Sequence, residues 1–191
     1  MTTSLIINGQ LHSPAFIFVH CPHKFTDVDL LSRFGLHNYE RTESVPQFER
    51  YAILADAGTW TLLADDWHYT IWQMPTTGPI INDLASTHDV FACSVGDIDR
   101  SFDFAYYRNA ALVRAYVVSD PFCRGRKVVR NIGEPFPAES EVFKSASEGL
   151  SIVLQLAESI GIQTPYEEAD LRIYVAPADE SRASQSRNPN D

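Results

Sequence analysis

The stretch SVGDIDRSFDF places three aspartates, Asp97, Asp99 and Asp103, at spacings used by calcium loops and phosphotransfer sites. A helix–loop–helix calcium site needs oxygen ligands at its first, third, fifth and twelfth positions and a glycine at the sixth. Counted from Asp97, the sixth position is Phe102 and the twelfth is Arg108, which excludes that chemistry. A DxDx[TS] loop, whose first aspartate attacks a phosphoryl group, also fits Asp97, Asp99 and Ser101. Against it, Gly96 interrupts the strand ahead of the nucleophile position and Arg100 would crowd the site. No later Asp-Asp pair follows an apolar strand to hold magnesium. A glycosyltransferase DxD would need a nucleotide-binding region upstream, where the chain reads as hairpins. The same Gly/Asp/Ser cluster is ordinary turn chemistry between strands.

Other constellations are weaker. His20-Cys21-Pro22-His23 offers three metal-ligating types, but adjacent ligands strain against tetrahedral geometry and no second pair stands at ligand spacing. Cys123 precedes Arg124 and Arg126, which would lower a thiol pKa. In the phosphate loop of tyrosine phosphatases the arginine follows at a fixed distance; here Arg124 and Arg126 are too close and Arg130 too far. No GxSxG elbow, P-loop or dinucleotide fingerprint occurs. The expectation is no catalytic residue, no metal ligand and no cofactor. The alternative is a small metal-dependent hydrolase or phosphotransferase using Asp97 and Asp99.

A binding chemistry is better represented. Trp60, Trp67 and Trp72 fall close together, with Asp65, Asp66 and Tyr69 among them. Trp60 and Trp72 read as core. Trp67, directly after an Asp-Asp turn, has the look of an aromatic anchor among orienting charges. The candidate partner-binding residues are Asp65, Asp66, Trp67, Tyr69, Asp97, Asp99 and Asp103.

Charge supports the same direction. The chain of 191 residues carries a net charge of −10, which argues against a nucleic-acid binder. Residues 51–99 hold seven aspartates and no Lys or Arg, whereas residues 100–130 hold seven basic residues and two aspartates. Either the two segments compensate one another, or the acidic one faces a basic partner. No apolar run is long enough to span a membrane and the N-terminus lacks a signal-peptide pattern. With three scattered cysteines, Cys21, Cys93 and Cys123, the expectation is a reduced cytoplasmic protein.

The elements that must position these residues follow from patterning. Asn8-Gly9 marks a first hairpin. Thr26 and Asp29 form a capping-box-like pair, with Phe25 as a staple onto Leu30 and Gly35 as a stop, predicting a helix near 27–34. Residues 38–50 read as a connection or edge strand. Strands are expected in YAILA, TWTLLA and HYTIWQM, a short helix from Pro79, and strands in DVFACSV, SFDFAYYR and LVRAYVV. The basic RGRK stretch reads as a solvated loop and GEPFPAES as a Pro-rich segment. A helix near 147–160 and a strand LRIYVAP close the pattern. The fold class is α+β, a mainly antiparallel sheet built from consecutive hairpins with two or three helices packed on it. One globular domain is expected over residues 1–177, with a disordered polar tail over 178–191.

Together, WTLLADDWHYTIW, DVFACSVGDIDRSFDFAYYRNAALVRAYVV and GEPFPAESE resemble bacterial immunity proteins, small acidic proteins encoded beside polymorphic or contact-dependent toxins. The family-like pattern is a GDxDxSFxFxYYRxGxLVR hairpin followed by GEPLPxE. The likeness spans residues 51–141, and its motifs are structural rather than catalytic. One departure is Asn109-Ala110-Ala111, where such hairpins more often carry Asn-Gly or Asp-Gly. The resemblance implies direct contact with a cognate protein toxin, a basic nuclease being one candidate, with carboxylates standing in for phosphates. It implies neither a nucleic-acid nor a membrane partner, and leaves a homodimer open.

Overall fold

The computed structural model describes residues 6–7, 10–11, 15–21, 25–44, 49–64, 71, 77–96, 100–120, 124–146, 148–164 and 171–177. A two-stranded sheet pairs β1 (Ile6–Ile7) with β2 (Gln10–Leu11) across the Asn8-Gly9 position. The main sheet has nine strands: β3 (Ala15–His20), β4 (Glu40–Thr42), β5 (Tyr51–Ala57), β6 (Trp60–Ala64), β7 (Val90–Val95), β8 (Phe102–Arg108), β9 (Ala111–Ser119), β10 (Lys127–Ile132) and β11 (Leu171–Val175). Their order is β10-β9-β8-β7-β3-β6-β5-β11-β4. Every pairing in it is antiparallel. The α+β class read from the sequence is the fold observed.

Four described helices cover the sheet: α1 (Asp27–Arg33), α2 (Thr77–Ala85), α3 (Glu139–Ser145) and α4 (Gly149–Ser159). Strand side chains alternate between faces. Phe16, Phe18, Ile53, Leu62, Phe91 and Phe104 bury on one face with Val142 of α3 and Ile152, Val153 and Leu156 of α4. Ile17, Val19, Leu54, Leu63 and Val90 bury on the other with Leu30 and Leu31 of α1 and Ile81 and Leu84 of α2. Burial on both faces explains why AFIFV, YAILA and WTLLA are continuous apolar runs instead of alternating ones.

Local chemistry accounts for the helix bounds. The Asp29 N–H donates to Thr26 Oγ1 at 3.2 Å and the Thr26 hydroxyl to Asp29 Oδ2 at 2.6 Å, the reciprocal cap read from the sequence. Phe25 packs against the cluster that holds Leu30. At the far end Gly35 takes φ 72°. Helix α2 begins two residues before Pro79, which still falls in the first turn, where the missing N–H costs nothing.

Two elements differ from expectation. The basic segment read as a loop becomes strand β10 from Lys127 onward, and GEPFPAES runs into helix α3. All six β10 residues are exposed, so no buried alternation marks the strand. Helix α3 has only seven residues and its N-cap, Ala138, makes no side-chain cap bond. The strand expected over HYTIWQM and the tail over 178–191 lie outside the described residues, save for Ile71, which is buried.

The β8–β9 turn resolves its odd sequence. Asn109 and Ala110 both have positive φ, 51° and 61°, the two-residue turn that matches strand twist. Ala110 stands there without glycine's freedom, a strain of about 1–2 kcal/mol. Asp89 steadies the turn by accepting the Asn109 N–H at 3.3 Å and facing the Arg108 guanidinium at 3.9 Å.

Candidate protein-binding surface

The segments YYRNAALVR and GEPFPAE meet in the interior. Arg114, on β9, shares the inward parity of Tyr116 and Val118, so its side chain is driven beneath α3. It is 1 % exposed. Its Nε and one terminal nitrogen each donate to the two Glu139 carboxylate oxygens at 2.7 Å. The other terminal nitrogen donates to Asn131 Oδ1 at 2.6 Å and to the carbonyls of Ile132 and Gly133 at 2.9 and 3.1 Å. The guanidinium also lies over the Tyr116 ring, 5.1 Å from its centre. Glu139 Oε1 further accepts the Phe136 N–H at 3.0 Å. A buried ion pair persists when its remaining donors and acceptors are satisfied, as these are. Phe136 is thereby set against Phe104 and Tyr106 at 5.9 and 5.6 Å between ring centres.

The opposite sheet face is covered differently. The layer made by α1 and α2 draws its strand residues from β3, β5, β6, β7 and β11, and reaches only Tyr107 beyond β7. On that side β8 presents Asp103, Ala105 and Tyr107, all half-buried. Six large apolar side chains are exposed among the described residues, and five of them, Leu112, Val113, Val128, Val129 and Ile132, lie on β9 and β10. By register they divide between the two faces: Val128 stands opposite the inward Val118, and Ile132 opposite Ala115 on the other side.

Of the residues expected to contact a partner, only Asp103 is described; Asp65, Asp66, Trp67, Tyr69, Asp97 and Asp99 lie outside the described residues. Asp103 stands between Ser94 and Val117, on the sheet face away from α3 and α4. Its carboxylate accepts the Ser94 hydroxyl at 2.5 Å. Burial pushes its pKa up, and the hydrogen bonds from Ser94 oppose that rise. A carboxyl whose folded pKa is raised contributes stability below its unfolded pKa and loses it as pH rises through the folded value. Asp103→Asn is therefore expected to gain stability relative to the parent between pH 4 and pH 7, as read from urea midpoints, by the linkage argument. A relative loss over that interval would mean that the Ser94 hydrogen bonds outweigh burial.

The flanking loop is tied down by described residues. The Gly96 N–H donates to the Ser101 carbonyl at 2.8 Å, the Asp120 N–H to Ser101 Oγ at 2.8 Å, and the Gly125 N–H to the Asp120 carboxylate at 2.8 Å. Ser101, the third member of the DxDx[TS] pattern, thus joins β8 to the end of β9. Trp60, read as core, is buried, as are Phe102, Phe104 and Tyr106, while Trp72 lies outside the described residues. His20 ends β3 with its ring 5.0 Å from Trp60, and Cys21 beside it is buried. Cys93 is fully buried, its thiol pushed well up by burial and then by the nearby Asp103 charge.

Acidic and basic segments compensate one another in part. Asp89 meets Arg108, but Asp83 pairs with Arg33 at 3.4 Å and Asp56 with Arg172 at 3.2 Å. Arg172 also holds Asp27 at 2.7 Å, whose carboxylate accepts the Tyr174 hydroxyl at 2.6 Å. Burial and that carboxylate raise the Tyr174 pKa to about 12. This network pins the start of α1 to β11.

Among the described residues no group of three or more His, Cys, Asp or Glu converges on a metal position. No described helix is long and apolar enough to cross a membrane. Arg114 and Glu139 are not among the candidate site residues read from the sequence, nor is β10 among its expected strands. A charge at inward parity in LVRAYVV was the available signal for the first. No family model, no curated protein and no solved structure matches the chain.

Proposed function

We propose that the chain is a protein-binding module of the immunity type, which neutralises a toxin by direct contact. The observation that supports this reading is the Arg114–Glu139 lock. It joins the YYRNAALVR and GEPFPAE segments into one scaffold, and that scaffold carries the exposed apolar side chains of β9 and β10. Residues of the immunity-like pattern thus hold a surface in place instead of assembling around a substrate. The carboxylates of Asp65, Asp66, Asp97, Asp99 and Asp103 would orient a basic partner and speed its encounter.

The test is co-purification with the product of the adjacent gene, followed by reversal of Asp65, Asp66, Asp97 and Asp99 to lysine. A stable complex whose affinity falls at least about tenfold on reversal, with a flatter salt dependence, is expected from screening of charge pairs. Unchanged affinity and salt slope would reject the acidic contact. Absence of any complex would reject the toxin-neutralising reading itself.

A further inference from the structure

We propose that β10 takes up an extended, acidic segment of a partner protein as an additional strand on the edge of the main sheet. Among the described residues β10 ends the strand order, pairs with β9 on one side, and is exposed at all six of its residues. The opposite edge, β4, has three residues and offers far less. An unpaired strand edge is a row of backbone donors and acceptors that another chain can complete.

The side chains decide which chain. Val129 is 61 % exposed and Val128 48 %, so the edge is apolar enough to hold a strand. β10 itself carries Lys127 and Arg130 with no carboxylate, in a chain whose net charge is −10. Among the described residues no ion pair engages Lys127 or Arg130. Arg130 and Ile132 stand opposite Val117 and Ala115, on the sheet side away from α3 and α4. Edge lysines and bulges of the kind found between Val128 and Arg130 are devices against self-association. Pairing β10 with β10 of a second copy would set two basic strands side by side, where like charges repel. An incoming strand with Asp or Glu at alternate positions would meet those cations and keep the backbone bonds. The charge pattern that rejects a second copy therefore selects an acidic one.

This inference stands apart from the toxin reading, because it concerns the chemistry of one edge and can be tested without any cognate gene product. The probes are short labelled peptides of alternating valine and aspartate, and of alternating valine and lysine, added to the full chain and followed by fluorescence anisotropy and hydrogen exchange. The aspartate peptide is expected to bind, to weaken at least about tenfold from low to high salt, and to slow amide exchange within 127–132. The exposed Lys127→Glu/Arg130→Glu double variant is expected to lose that peptide and gain the lysine one. Equal binding of both peptides, protection elsewhere, or equal competition by a single-stranded oligonucleotide would overturn the proposal. So would concentration-dependent dimers that the double variant alters.

Discussion

Glu139→Gln, with Arg114 left in place, is expected to destabilise the fold by about 3–5 kcal/mol, since it strands a buried guanidinium without its counter-charge. At this chain length that corresponds to a melting temperature lowered by about 10 °C. The loss should spread beyond α3. Glu139 also holds the Phe136 N–H, and Arg114 holds Asn131 and the carbonyls of Ile132 and Gly133, so the variant loosens the aromatic contact with Phe104 and the seat of β10 together. The double replacement Arg114→Met/Glu139→Leu is expected to recover most of the stability, because a buried pair replaced whole by apolar groups leaves no orphan charge. Urea unfolding of the three chains checks both halves. A single variant within about 1 kcal/mol of the parent would show that the pair does not hold the scaffold, as surface pairs do not. The consequence for binding assays is direct: a Glu139 variant that fails to bind reports on the scaffold, whereas Lys127 and Arg130 variants report on contact.

How much of this was legible in the sequence depended on whether each residue's neighbours were near it in the chain. The α1 cap was readable because Thr26 and Asp29 are three residues apart and satisfy each other locally. The β8 strand was readable because Phe102, Phe104 and Tyr106 bury on one face while Asp103, Ala105 and Tyr107 sit half-buried on the other. The five-strand middle of the sheet announced itself as apolar runs, yet nothing in those runs said which helices would cover which face. β10 escaped because its identity as a strand comes from pairing with β9 and not from a buried stripe. Arg114 and Glu139 are 25 residues apart, and only the return of the chain through β10 and Pro135–Pro137 brings them together. The immunity-like pattern contained both residues without stating that they touch. For the contact surface, the acidic candidates pointed to one side of the molecule's chemistry, while the exposed valines and cations of β10 became visible only once the sheet had an order.

The same scaffold makes Gly133→Ala the second large effect. Gly133 follows β10 at φ +79°, and its carbonyl accepts from Arg114. A Cβ placed there would run into the Val113 carbonyl oxygen, a backbone atom of β9 that cannot swing aside. Two costs therefore add: the left-handed conformation, about 1–2 kcal/mol, and displacement of a strand whose next residue, Arg114, is fixed by five donor contacts. The sum should exceed about 3 kcal/mol, in the range reserved for strain at a special backbone position. Gly161 provides the control. It ends α4 at φ +90° with nothing within 4 Å of where a Cβ would stand. Gly161→Ala should therefore show the conformational cost alone, about 1–2 kcal/mol. The difference between the two variants in urea midpoint isolates the steric share. Equal effects would mean that β9 yields at Val113, and a β9 that yields there would not hold Arg114 rigidly enough to anchor Glu139.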